Sequence, residues 1–490
     1  MFTILLKLHR YLGILLSSVI ALWCASGIVM MYQQYPTLTD NEKVSSLTTL
    51  DFTNCCVDLE TLNLDYDGDY IEIEMLSGNP IMRFSSFYDE FTVSLVDGTF
   101  INEINNEQAL SVVTNYLYNN NINFNISNIT SELINSDQWT IYGTSVRKPP
   151  YARYEINNKE KTHLYVSLIT GELAQVTDRR ERIFATLGPV IHWIYPKAIR
   201  DNPSLWSKII ISLTILSSFL CFFGIYIGIK KIKLISGVNI NRCKNINYIH
   251  HISGLFLGVL LLCWIISGLL SINPFGVLEG RSFHQEYYLN SESGLSMGNI
   301  SMLIESLNDK GIPEKAVKIY ASKVNNTPYA ISISGNLEKD RLDIVSLEKS
   351  DLAIEDLKIV GANLRDDAGI IEQGWLSEGD SYYYSHHNDR PFPTYKIEYS
   401  DGEIIYLNNL TAKINLIIDS NRKLYRWLFA GVHRFDFFKE VRKRPFWDII
   451  MLSIQLSLLL FAFTGLILGF KSLRNIIKRL VRKIFKFNQR

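Results

Sequence analysis

Hydrophobic and polar positions follow three rhythms along this chain. Four stretches, Tyr11–Tyr32, Ile209–Ile229, Ile252–Ile272 and Ile449–Phe470, contain no charged residue and run for about 20 residues each. At about 1.5 Å per residue, each is long enough to cross a hydrocarbon core of about 30 Å. They predict four transmembrane helices. Between them the period shortens to two. "DYIEIEMLSGNPIMRFSS" and "EFTVSLVDGTFINEI" alternate around glycine-containing turns, as hairpin strands do, and so do "THLYVSLITGELAQV" and "EIIYLNNLTAKINLI". Helical spacing in "NEQALSVVTNYLYNNN" and "MGNISMLIESLNDKG" predicts two short amphipathic helices, and "NNNINFNISNIT" reads as surface loop.

The pattern is written twice. At an offset of 241, His9, Gly13, Trp23, Ser26 and Gly27 recur as His250, Gly254, Trp264, Ser267 and Gly268. Tyr142, Tyr154, Tyr165, Thr170 and Asp178 recur as Tyr383, Tyr395, Tyr406, Thr411 and Asp419. His192, Trp206, Gly224, Gly228 and Lys230 recur as His433, Trp447, Gly465, Gly469 and Lys471. The chain therefore reads as a tandem parallel repeat of about 241 residues, each copy a helix, an α+β domain and a second helix. Copies in the same orientation relate through a pseudo-twofold axis along the membrane normal. The predicted segments are 1–32 (N-terminus and first span), 33–206 (first external domain), 207–229 (second span), 230–249 (loop), 250–272 (third span), 273–447 (second external domain), 448–470 (fourth span) and 471–490 (basic tail).

Charge sets the orientation. The 49 acidic residues all lie between Gln33 and Asp448, and none lies in the loop 230–249. The two ends and that loop carry only basic residues: Lys7 and Arg10, then Lys230, Lys231, Lys233, Arg242 and Lys244, then eight from Lys471 to Arg490. Basic residues stay on the cytoplasmic side, so both termini and the loop are expected there, with both large domains on the far side. The first span is expected to be an uncleaved anchor, because its apolar core outruns a signal peptide and Trp23 before Cys24 disfavours lipoprotein processing. Of six cysteines, Cys24, Cys221 and Cys263 fall in spans and Cys243 in the loop. Only Cys55 and Cys56 lie outside, where neighbours bridge only with strain. No CxxCH motif attaches a haem covalently.

The histidines supply the candidate chemistry. His9 and His250 open two spans on the cytoplasmic side, and His192 and His433 each precede by 14 residues a tryptophan that starts a span on the outer side. Residues related by an axis along the membrane normal share a depth, so one pair is expected near each face. Two imidazoles facing each other across a bundle suit axial ligation of a haem iron, and Gly13, Gly27, Gly254, Gly268, Gly224/Gly228 and Gly465/Gly469 allow close helix approach. In "IHHISG" the repeat selects His250 as the ligand. His251 takes the place of Arg10, and both are candidate propionate partners, as are Lys7, Arg182 and Arg434. In "SYYYSHHNDRPFPTYKI", Tyr384, His386, His387 and Arg390 form a candidate substrate cluster, with ordinary aromatic packing as the competing reading. "SVRKPPYARY", with Arg147, Lys148 and Arg153, is its counterpart and a source of positive charge. His163, on a strand, and His284, in a loop, read as surface residues. The Trp23/Trp264 and Trp206/Trp447 pairs read as packing or interface anchors.

These residues resemble the PepSY-associated transmembrane helix family, through "LHRYLG…SG", through "LYVSLITGELAQVTDRRERIFATLGPVIHWIY…LW" followed by "GIYIG", and through "YYYSHH". The resemblance spans nearly the whole chain. It departs at "IHHISG", where the family pattern has His-Arg. It implies a bacterial inner-membrane protein with two PepSY-like periplasmic domains, of the kind that includes siderophore-iron reductases with b-type haem between four helices. The expected function is a dihaem reductase carrying two haem b. It would pass electrons from a cytoplasmic donor, a flavin or flavoprotein, to periplasmic Fe(III), as in a ferric siderophore. The alternative is a non-enzymatic membrane-anchored PepSY protein that binds peptides or regulates peptidases. Membrane lipid is an expected partner and nucleic acid is not.

Overall fold

The computed structural model describes residues 2–53, 55–59, 66–85, 90–141, 148–232, 245–280, 294–386 and 389–487. His284, His387, Tyr142, Arg147 and Cys243 lie outside the described residues. The chain divides into two compact units, one of residues 1–35, 183–279 and 421–490, the other of residues 36–182 and 280–420. Helices of eleven residues or more, among the described residues, are α1 (Phe2–Met30), α2 (Asn106–Asn119), α3 (Pro203–Ile232), α4 (Ile246–Ser271), α5 (Met297–Lys310), α6 (Ile354–Leu364) and α7 (Phe446–Phe487).

The first unit is helical. Its α1, α3, α4 and α7 are each long and apolar enough to cross a membrane. All four begin before the uncharged runs that reveal them, and α7, 42 residues long, continues through the basic tail for about 63 Å in all. Loss of charge marks the apolar core of a helix and not its ends; after Gly469 no glycine or proline interrupts the helical backbone. α1 packs on α3 and α7, and α4 packs on the same two helices. Leu16, Ile20, Leu220, Leu261, Trp264 and Leu458 fill the bundle core. Gly469 permits a close approach of α7 to α1: a methyl group there would lie 3.4 Å from the Gly13 carbonyl oxygen.

Residues 183–206 and 421–447, which the sequence assigns to the external domains, belong to this helical unit. Each contains a wide π-helical turn, Thr186–Val190 and Arg426–Gly431. Such a turn inserts an extra residue and re-aims the side chains downstream of it. The first lies against α1 and the second against α4. Gly188 makes the first contact possible, since a methyl there would meet the Met30 backbone nitrogen at 3.3 Å.

The second unit is α+β. A two-residue bridge pairs β1 (Asp67–Gly68) with β9 (Leu295–Ser296). β2 (Tyr70–Leu76), β3 (Asn79–Ser85) and β4 (Glu90–Ser94) join β10 (Ala316–Val324), β11 (Thr327–Ser334) and β12 (Lys339–Asp343) in one six-stranded antiparallel sheet of order β12-β11-β10-β2-β3-β4. β5 (Ile129–Ile134), β6 (Tyr151–Ile156), β7 (His163–Ser167) and β8 (Leu173–Thr177) form a four-stranded meander. β13 (Ile370–Leu376), β14 (Thr394–Tyr399), β15 (Ile404–Asn408) and β16 (Ile414–Ile418) form another. Segments from both halves of the chain thus share a sheet, whose central pair is β2 with β10.

The alternation in "YIEIEML" explains both faces of that sheet. Ile71 and Ile73 enter a core with Ile300, Leu303 and Leu307 of α5. Glu72 and Glu74 point the other way, where Lys318 meets them at 2.9 and 3.1 Å and Arg83 meets Glu74 at 2.7 Å. Burial opposes ionisation of Glu74, and Arg83 with Lys318 outweighs it, holding the carboxyl below its ordinary range. The β2–β3 hairpin turns at Ser77-Gly78, both with positive φ, as a two-residue hairpin loop requires. The asparagine-rich "NNNINFNISNIT" departs from its expected loop: it contains a helical turn, Ile126–Asn128, and the start of β5. β5 is a mostly exposed edge strand, so its polar composition hides it. Cys55 and Cys56 are joined to each other by a disulfide.

Candidate functional site

Four histidines come together two by two in the helical unit. His9 of α1 faces His250 of α4 with ring centroids 6.5 Å apart and planes at 39°. His192 and His433, each just after a π-helical turn, face each other at 6.3 Å and 65°. These are the pairs the repeat predicts. The neighbouring His251 stands instead beside Gly228 of α3, and its Nε2 is buried with no hydrogen-bond partner among the described residues.

In all four rings Nδ1 is occupied. His9 Nδ1 bonds to the Leu220 carbonyl oxygen at 3.1 Å, and His250 Nδ1 to the Thr464 hydroxyl at 2.8 Å. His192 Nδ1 lies 3.1 Å from the Trp23 carbonyl and 3.2 Å from Ser26 Oγ. His433 Nδ1 lies 3.1 Å from both the Trp264 carbonyl and Ser267 Oγ. A carbonyl accepts, so in the three rings that face one Nδ1 carries the proton and Nε2 keeps its lone pair. No Nε2 of the four has a hydrogen-bond partner among the described residues. His192 and His433 lie outside the four candidate spans in the chain; burial pushes them down to about 4 and about 3, which keeps both neutral.

Glycines back the rings. A methyl on Gly224 would stand 2.8 Å from His9 Cε1, one on Gly465 3.4 Å from His250 Cε1, one on Gly27 3.4 Å from His192 Cε1 and one on Gly268 3.2 Å from His433 Cε1. Phe461 stacks on His250 at 5.1 Å and Phe429 on His433 at 5.4 Å. The indoles of Trp206 and Trp447 donate to the carbonyls of Trp193 and Arg434, each one residue beyond a paired histidine. These tryptophans fix the segments that carry His192 and His433.

This arrangement fits a bis-imidazole metal. With metal–nitrogen bonds of about 2.0 Å, an iron held between two imidazoles requires ring centres about 6 Å apart, close to both observed separations. The occupied Nδ1 atoms are the usual outer support of histidine ligands. Among the described residues no group of three or more His, Cys, Asp or Glu side chains is arranged to hold a metal ion. A metal held at either pair would have two histidines of the chain as ligands. Along α1, His9 and Gly27 are 18 residues apart, so the two pairs are separated by about 27 Å of helix.

Other predicted residues have different surroundings. Arg10 is exposed on α1. Arg182 belongs to the α+β unit and donates to Thr177 and to the Lys161 carbonyl. Arg434 lies over the Phe429 ring at 4.8 Å. In the tyrosine-histidine cluster, Tyr383 is fully buried and stacked on Tyr406, and Arg390 covers its ring at 5.3 Å, which is aromatic packing. Tyr384 and His386 are half-buried beside it. Arg153 is enclosed by Glu132, Asp137 and Glu155, so it adds no free positive charge. His163 is half-buried and 3.7 Å from Glu155. Sequence reading missed Thr464, the Leu220 carbonyl and the buried Gln455. It noted Ser26 and Ser267 as repeated without giving them a role; their recurrence 166 residues before each outer histidine was the available signal.

No protein-family model matches the chain, and no curated protein matches it.

Proposed function

We propose that this chain is a dihaem reductase of a bacterial inner membrane, passing electrons from a cytoplasmic donor to periplasmic ferric iron such as a ferric siderophore. The observation that carries the reading is the double histidine pairing, each ring backed by glycine and each Nε2 left free among the described residues. His9 with His250, and His192 with His433, would each hold one haem b. Bound haem supplies one-electron chemistry. The chain's own residues orient the ligands through Nδ1, exclude water by burial, and leave space between rings for a flat group.

Several observations support the finer parts. The strands β7, β8, β15 and β16 fall in register at an offset of 241, and both outer histidines bond to a carbonyl and a serine 169 and 166 residues before them. Both favour a tandem parallel repeat. The one-sided distribution of basic residues favours cytoplasmic termini and periplasmic α+β domains, and the sequence motifs favour a PepSY-type origin.

A second reading, a membrane-anchored binding protein without cofactor, draws on an open cleft of about 630 Å³ in the α+β unit lined by Glu42, Tyr116, Asn158, Asp178 and Glu181. An optical spectrum of the protein purified from haem-replete cells separates the two. The reductase reading requires a dithionite-reducible b-type spectrum and two haems per chain; a colourless protein sinks it and leaves the binding reading.

A further inference from the structure

Gln455 of α7 lies within a candidate membrane span, is only 8% exposed, and has no hydrogen-bond partner among the described residues. An amide in such surroundings needs a partner, because neither lipid nor apolar side chains can satisfy it. Its position indicates where that partner sits. A methyl built on Gly27 would be 3.1 Å from Gln455 Nε2 and 3.4 Å from His192 Cε1, so the amide and the imidazole share the space over one glycine.

The position related to Gln455 by the 241-residue offset is Thr214 of α3, and the two differ in what they offer. Thr214 is also buried, but its hydroxyl bonds to the Ile210 and Ile211 carbonyls of its own helix. Gln455 keeps both donors and its acceptor. The outer pair therefore has an uncommitted polar group at its edge, on the His192 side.

We infer that the Gln455 amide donates a hydrogen bond to the metal-bearing group held between His192 and His433, at an electron-rich acceptor of its macrocycle. The inference rests on the dihaem reading. An N–H directed at such an acceptor stabilises the added electron, so it raises the reduction potential of the outer centre alone.

The test is a redox titration of the purified full-length protein, followed optically. His192→Ala first identifies the outer centre as the midpoint that disappears. Gln455→Met, close in volume, should keep two haems per chain and lower that same midpoint, with a two- to tenfold shift in its reduction equilibrium, up to about 59 mV for one electron. Gln455→Glu, which brings negative charge at the same length, should lower it as well. Thr214→Val should move neither midpoint. Unchanged midpoints in Gln455→Met, or a shift confined to the inner centre, overturn the inference. Should Gln455→Met not accumulate, an unchanged outer midpoint in Gln455→Glu overturns it. Wild-type protein without haem overturns the dihaem reading itself, and shows this before any variant is made.

Discussion

At the scale of single residues, the imidazoles and the glycines behind them carry the functional reading. His9→Ala or His250→Ala should halve the haem content by removing the inner centre. His192→Ala or His433→Ala should remove the outer one, as measured by pyridine haemochrome assay. His251→Ala should retain both, since that ring faces Gly228 instead of His9; loss of a haem there, with retention in His250→Ala, would reverse the ligand assignment. The glycines give a graded test. At Gly224 an added methyl stands 2.8 Å from the His9 ring, a distance the neighbours must yield to, while at Gly465 the related contact is an ordinary 3.4 Å. Gly224→Ala should therefore perturb the inner-centre spectrum and lower its occupancy, and Gly465→Ala should leave both close to wild type. Identical behaviour of the two variants would count against a close-packed imidazole at Gly224. The pairing itself was legible in the sequence, because His, Trp, Gly and Ser recur at one spacing. The partners of Nδ1 were less so: two of the four are backbone carbonyls only reinforced by serine, one is a carbonyl alone, and carbonyls leave no trace in residue identity.

At the scale of elements, hairpins and amphipathic helices were read correctly where alternation was strong, as in β2, β3, β7 and β8. The edge strand β5 was not, because an exposed edge places no demand for apolar residues on either face. The π-helical turns that precede His192 and His433 leave no composition signal, so the sequence groups residues 183–206 and 421–447 with the external segments while they pack in the helical unit. Lys318 joins β10 to two glutamates of β2, so Lys318→Ala should destabilise the α+β unit by about 3 kcal/mol in urea unfolding, the cost of leaving the buried Glu74 carboxylate with too few partners. A loss below measurement error would show that water screens the cluster. Glu181, in the helix Arg179–Ala185, is pushed up to about 7 by burial, reinforced by Asp178 and Glu42. Its native form holds a proton that the unfolded chain releases near the ordinary carboxylate range, so stability contributed by this group declines as pH rises through about 7. Glu181→Gln should flatten the fall in thermal midpoint between pH 5 and 8; a parallel shift at every pH would contradict the assignment.

At the scale of the whole molecule, the sequence predicted two external domains and the structure has one α+β unit, because β2 pairs with β10. Strand pairing between distant segments cannot be read from either strand alone, since the alternation in each is satisfied by any antiparallel neighbour. Residues 36–182 expressed alone would lose β10 from the edge of β2 at Ile71–Glu74, with Glu72 and Glu74 deprived of Lys318. They should self-associate in sedimentation experiments through that edge. A monodisperse, folded monomer would show that the first half is self-sufficient. The four spans and the basic distribution predict that tags on either terminus resist protease in right-side-out vesicles and are cleaved in inverted ones.

That shared edge also bears on the order of assembly. Ile71 finds its neighbour in Ala321 and Glu74 in Lys318, 250 and 244 residues further along the chain. The middle of the sheet therefore closes only after both halves of the chain exist, and so long a closure is slow to form compared with the hairpins on either side of it.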